Sequence, residues 1–199
     1  MAGPTQSSGD VLTITNRHSG ESLRLRRVRE AAGQTVLLID GSLPPGTNGP
    51  PAHIHRNSRE EAVVTAGTLG ARVGREQIVV PAGEHAVFPA GVVHAWWNAG
   101  NDILEMNGRA IPADDLDVFM QSMFAVLNAG ANGRPPLFYL AHVVWRHRHT
   151  QMLETPPPVI QRMLFGVVVF VGHILGKYRG SQWPGAPASC TGAPGAVGA

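Results

Sequence analysis

The sequence is poor in several things at once. Cys190 is the only cysteine in 199 residues. An intrachain disulfide is therefore impossible, and a cysteine-based metal site is excluded. Lysine occurs once, as Lys177, against fifteen arginines. Charged residues make up 15% of the chain, and the formal net charge is +2 with histidine neutral. The arginines are scattered apart from Arg24, Arg26, Arg27 and Arg29, too diffuse a footprint for nucleic acid. Met163 to Leu175 is almost wholly apolar, but its thirteen residues fall short of the roughly twenty that span a bilayer. This stretch is expected to be buried in the protein or in a dimer interface. The opening MAGPTQSSGD lacks the charged-then-apolar pattern of an export signal. The expectation is a cytoplasmic protein that engages neither nucleic acid nor membrane. What is abundant points to a packed globular core, with 43% apolar residues and 24 glycines and 16 prolines as punctuation.

Residues 1–9 read as a flexible lead. From Val11 to about Met106 the chain is a series of short apolar segments, among them ESLRLRRV, QTVLLID, TLGARVG, HAVFP and HAWWN, each bounded by Gly, Pro, Asn or Asp. That rhythm predicts an antiparallel sandwich or barrel over residues 10–110. In ESLRLRRV, Leu23 and Leu25 alternate with Ser22, Arg24 and Arg26, as on a half-buried strand whose arginines guard a sheet edge. After Arg109 the period changes. Leu116, Met120, Met123 and Leu127 recur at helical spacing, with Asp114, Asp115 and Asp117 at the start and Gly130 as a stop. A second helix is expected from Leu137 to His149 and a third within PPPVIQRMLFGVVVFVGHILGKY, making residues 111–179 a helical extension. The Gly/Ala/Pro tail from 180 to 199 reads as disordered. Of the remaining histidines, His85, His142, His147 and His149 are expected on solvated surfaces and His173 in the core. Glu105 and Arg109 read as surface groups.

The chemistry lies in two blocks. In PPAHIHRNSREEAVVTAG, His53 and His55 sit one residue apart, so on a strand they share a face. Glu60 or Glu61 follows after a turn and can return a carboxylate to that face. In GEHAVFPAGVVHAWWN, a turn glycine, a short strand and a Pro-Ala-Gly turn lead to His94, which shares a face with Trp96 and Asn98. Three imidazoles and one carboxylate would suit a first-row transition metal and leave positions open.

The two blocks resemble the paired motifs of the cupin superfamily. The first family pattern, G-x5-H-x-H-x3,4-E-x6-G, is met by His53, His55, Glu60 and Gly67, and its spacing selects Glu60 over Glu61. Only the opening glycine departs, since Thr47 holds that position. The second, G-x5-P-x-G-x2-H-x3-N, is met in full by Gly83, Pro89, Gly91, His94 and Asn98. The resemblance implies a jelly-roll barrel with a divalent metal (iron, manganese, nickel, copper or zinc) held by His53, His55, Glu60 and His94. Residues 111–179 look like the helical extension of some small bacterial cupins. The resemblance also implies a homodimer, and Glu60 as a catalytic proton acceptor. Trp96, Phe88 and Met106 are candidates for an apolar pocket wall; Trp96 suits the core equally, and Phe88 and Met106 suit it better. The expected activity is an oxidoreductase of dioxygenase type acting on a small hydrophobic, aromatic or polyketide-like molecule. The alternatives are a cyclase or isomerase of natural-product metabolism and a binding protein without turnover.

Overall fold

The computed structural model describes residues 10–30, 33–131 and 133–179. The flexible lead and disordered tail expected from the sequence, Cys190 included, lie outside the described residues. Along the chain run β1 (Leu12–Thr15), β2 (Ser22–Arg29), β3 (Thr35–Leu43), β4 (His53–His55), β5 (Arg59–Ala66), β6 (Thr68–Val73), β7 (Glu76–Pro81), β8 (His85–Phe88), β9 (His94–Asn98), β10 (Leu104–Ile111), α1 (Leu116–Ala129), α2 (Leu137–Arg146), β11 (Gln151–Leu153) and α3 (Pro158–Ile174). The strands form two antiparallel sheets. One has the order β1-β2-β3-β10-β5-β8 and the other β11-β4-β9-β6-β7.

Alternation along the strands places the core. Leu43, Val64 and Leu104 of the first sheet meet Leu69 and Ala71 of the second, all fully buried, and Phe88, Met106 and Trp96 join the same cluster. A second cluster lies where α1 packs on β2, β3 and β10, through Leu23, Leu25, Leu37, Leu116 and Phe124. Gly67 turns β5 into β6 at φ +74°, and a Cβ there would lie 2.6 Å from the carbonyl oxygen of Ile103. No other residue fits that corner without strain.

Several expectations change here. β2 is not an edge strand, because β1 pairs with its first half. Arg27 instead ties the sheet to α1, binding the Asp117 carboxylate and the Asp114 carbonyl. Asp115 stands at the N-terminus of α1 but makes no capping bond. Its carboxylate accepts from His147 Nδ1 at 2.5 Å and from Thr150 Oγ1 at 2.6 Å. This contact ends α2 at Arg146, three residues short of the expected His149. His147, expected on a solvated face, is 2% exposed. Its carbonyl accepts from Thr150 N and Gln151 N, turning the chain out of the helix and into β11. β11 itself has no sequence signal. It joins the edge of the second sheet beside β4, so the extension completes the barrel rather than hanging from it. His173, expected in the core, is exposed. Among the described residues no helix is long and apolar enough to cross a membrane.

One buried acid marks a pH-dependent weakness. Glu21, 8% exposed, is pushed up by burial to about 7 from its ordinary 4.5. Between those values the folded chain keeps a proton that the unfolded chain has released. Stability therefore falls as pH rises through that window and levels off above it. Glu21→Gln cannot titrate, so its advantage over the native protein should grow from nothing near pH 4.5 to about 3 kcal/mol above 7. Urea unfolding across the window checks this, and a pH-independent difference would show that Glu21 is not held neutral.

Candidate metal centre

The site lies between the sheets. β4 brings His53 and His55, β9 brings His94 directly opposite His53, and β5 of the other sheet brings Glu60. Period-two geometry puts both β4 imidazoles on one face, and their Nε2 atoms stand 3.0 Å apart. Glu60 Oε1 is 3.3 Å from His55 Nε2, and Oε2 is 3.5 Å from His94 Nε2. One donor atom from each of the four residues lies within 4.8 Å of every other. The carboxylate of Glu61, the competitor in the sequence, points instead to Arg59 at 2.5 Å.

The hydrogen bonds behind the rings fix which nitrogen faces inward. His53 Nδ1 donates to Pro51 O at 2.9 Å and His94 Nδ1 to Val92 O at 3.0 Å. Each of these rings, when neutral, then presents the bare lone pair of Nε2 to the centre. The turn between the motifs is bound to the site as well, since Gly91 N–H donates to His55 O at 2.7 Å. Asn98, which shares a face with His94, is a clamp rather than a ligand. It donates to Leu43 O and Asp102 O and accepts from Gly100 N. Gly49, two residues past Thr47, lies so close to β9 that a Cβ there would be 2.7 Å from the Trp96 ring.

The electrostatics are those of three imidazoles gathered round one carboxylate. Burial, then the neighbouring His55 and His94, push His53 down to about 3. Burial also opposes charge on His55, but Glu60 outweighs it and holds that imidazole above its usual value, with smaller help from Gln151 and Asp114. For Glu60, burial is again outweighed, here by His55 and His94, and its carboxyl lies well below the ordinary range. The centre thus holds a carboxylate and one displaceable proton, which a divalent cation would release on binding.

A metal fits this arrangement. Donors held about 2.1 Å from one ion at angles of 90–110° lie roughly 3.0–3.4 Å apart, close to the 3.0, 3.3 and 3.5 Å between His53 and His55, His55 and Glu60, and His94 and Glu60. His94 Nε2 is buried and has no hydrogen-bond partner, an arrangement that is costly unless a ligand takes the lone pair.

Of the proposed pocket residues, Phe88 stands opposite Glu60 on β8, with its ring centroid 5.0 Å from that of His94. Trp96 is half-buried on the site's own strand and packs on the core beneath it. Met106 is buried deeper, its terminal methyl against Gly41.

One residue beside the centre was not foreseen. Gln151 of β11 pairs in register with His55 and is 5% exposed. Both its amide atoms and His55 Nδ1 are buried and make no hydrogen bond of good geometry, although Gln151 is near enough to favour charge on His55. Directly opposed residues share a sheet face with Cβ atoms about 5 Å apart. With Nε2 given to an ion, a neutral His55 carries its proton on Nδ1, and Gln151 Oε1 is the acceptor at hand. Gln151→Leu should therefore weaken metal binding by roughly 10- to 100-fold with the fold intact, the usual consequence of losing such a partner. Competition against a chromophoric chelator measures this, and unchanged affinity would remove Gln151 from the centre.

Residues 40–118, which contain all four donors, match the family model of the cupin domain. A search of curated proteins finds no match. Solved structures align over about half of this chain. A protein described as a predicted oxalate decarboxylase, from Thermotoga maritima, is 20% identical, with 56% of this chain and 99% of that one covered at a TM-score of 0.42. An RmlC-like cupin from Shewanella frigidimarina is 14% identical, with 57% and 97% covered at 0.44. A cupin protein from Bacteroides fragilis is 18% identical, with 40% and 67% covered at 0.37. The matched segment holds both motifs and the whole ligand set, and residues 40–118 are thus a cupin domain.

Proposed function

We propose that the protein is a metal-dependent oxidoreductase of dioxygenase type, acting on a small apolar molecule of aromatic or polyketide-like character. The observation that carries this reading is the convergence of three imidazole nitrogens and one carboxylate, with no sulfur donor, on a point walled by Phe88. Such a nitrogen and oxygen set suits iron, manganese, nickel, copper or zinc. When bound, a redox-active ion would supply one-electron chemistry and Lewis acidity at positions the four ligands leave open.

The chain's own residues do the rest. His53 and His94 are locked by Pro51 O and Val92 O with Nε2 inward, so their orientation costs nothing at the moment of binding. Glu60 reaches His55 and His94 with separate oxygens. A carboxylate that releases one of them can take a substrate proton on it. The charges that bear on His53, His55 and Glu60 are those of the cluster itself and of Asp114. Among the described residues none of the largest influences on these three groups is a guanidinium or ammonium group, and the Phe88 ring stands 5.0 Å from that of His94. This favours an apolar, weakly acidic substrate such as an enol or phenol over a sugar phosphate.

The test is elemental analysis of protein purified without added metal or a histidine tag, followed by oxygen-uptake screens on aromatic and enolic compounds. Near-stoichiometric iron, manganese, nickel or copper with substrate-dependent oxygen consumption supports the reading. Zinc alone, with turnover that consumes no oxygen, would replace it with a cyclase or isomerase.

A further inference from the structure

The start of α1 is built against local rules. Asp114 has φ +42°, a left-handed conformation that a residue with a side chain rarely adopts. Asp115 stands where a helix is ordinarily capped and makes no capping bond. His147, which holds the Asp115 carboxylate, is 2% exposed, and among the described residues its Nε2 has no hydrogen-bond partner. An apolar side chain beside Phe119 would fill that place without burying a bare nitrogen. Strain, a forgone cap and a half-satisfied imidazole all work against stability, and such features gather where a fold serves a site.

Both aspartates turn toward the chain that carries His55. Asp114 Oδ2 accepts from Asn57 Nδ2 at 3.1 Å, two residues beyond His55. Asp115 accepts from His147 and from Thr150 with separate oxygens. Thr150 O in turn accepts from Arg56 N at 2.9 Å, the residue next to His55. Two hydrogen bonds therefore lead from Asp115 through Thr150 to the ligand strand. Thr150 Oγ1 also reaches His147 O at 3.1 Å, so the turn is closed on itself. The residue after Thr150 is Gln151, in register with His55. β11 is only three residues long and lies at the edge of its sheet. So short a strand has few ladder bonds to fix it, and the anchors at its ends set where its side chains stand. Beyond β11 the anchors are Gln161 on Leu153 O and Glu154 on Arg72. Before it the anchor is Asp115.

We infer that Asp115, braced by His147, is a positioning residue of the metal centre: through Thr150 it seats Gln151 behind His55 and so sets how firmly that imidazole holds an ion. The inference rests on the centre formed by His53, His55, Glu60 and His94, and stands whatever the reaction.

The test is cobalt(II) binding to the full-length protein, read by competition with a chromophoric chelator, with urea unfolding of each metal-free variant alongside. Thr150→Val keeps the branched side chain and removes its hydroxyl. Asp115→Asn leaves one acceptor oxygen for two donors. Each should weaken binding roughly tenfold, the lower end of what a lost outer partner costs. Thr150→Ser restores the hydroxyl and should recover most of that loss. In a Gln151→Leu background the first two changes should cost at most about twofold more, because the route through Gln151 is already cut. Losses that add in full would overturn the inference. So would unaltered affinity in variants that only lose stability. Native protein that takes up no cobalt would remove the centre and the inference together. Native binding that survives every variant would leave the centre in place and remove only the role of Asp115.

Discussion

Replacing His94 by alanine will strip the protein of its bound metal and leave the barrel standing. His94 is the fully buried member of the cluster, and its ring stands 4.3 Å from that of His53 and 5.1 Å from that of His55. Its loss removes one of three nitrogens from a four-donor set, so affinity should fall by more than the roughly 10- to 100-fold that a lost outer partner costs. Two opposing effects act on the fold. A cavity opens beside Phe88, a change that typically costs about 2–4 kcal/mol for a large buried side chain. Against this, the variant no longer buries the unpartnered Nε2 atom of His94, a burden of about 1–3 kcal/mol in the metal-free protein. The net loss is smaller than the stability of an ordinary domain. Elemental analysis of the two proteins prepared side by side, with circular dichroism on each, decides the matter. Full metal occupancy in a folded variant would sink the assignment of the centre.

How much of this was legible beforehand follows from which interactions are local. β4 could be read because a strand alternates, so two histidines one residue apart must share a face. Glu60 and His94 could be placed because turns of fixed length, closed by Gly67 and by Pro89-Ala90-Gly91, return the chain to the same point. The burial pattern of β2, with Leu23 and Leu25 inward, follows from the same period. Among the arginines of β2, Arg27 was misjudged because its partner, Asp117, lies ninety residues further on.

The extension was less readable for the same reason. β11 is three residues long and shows no alternation, and nothing near Gln151 in the chain announces His55 as its neighbour. The acidic start of α1 looked like helix-dipole compensation, yet Asp115 spends its carboxylate on His147 and Thr150 and thereby sets where α2 ends. The apolar character of α3 was plain, but its direction was not. Apolar residues surround this helix on nearly every side, so periodicity could not say which face the protein would cover. Only the docked positions of Gln161, Val169 and Gly172 show that the other face is left bare.

Exchanging Glu60 for glutamine should cost far more metal than the same exchange one residue later. The two glutamates are adjacent on β5 and therefore point to opposite sides of the sheet. Glu60 has a 14% exposed side chain facing His55 and His94, while Glu61 pairs with Arg59 at the surface. Glutamine keeps the size of Glu60 but removes its charge, and its amide nitrogen can only donate. That nitrogen then opposes an imidazole lone pair or the ion itself. The same exchange takes away the main support for a charged His55, so the metal-free site loses its ion pair as well. At Glu61 the change removes a half-exposed ion pair of the kind contributing about 1 kcal/mol or less, at a distance from the ligands. Chelator competition on both variants should therefore give a loss beyond about a hundredfold for Glu60→Gln and none for Glu61→Gln. Equal losses would mean that the carboxylate acts through the general field of the strand rather than as a ligand. A larger loss at Glu61 would mean that the spacing between His55 and Gly67 had selected the wrong residue.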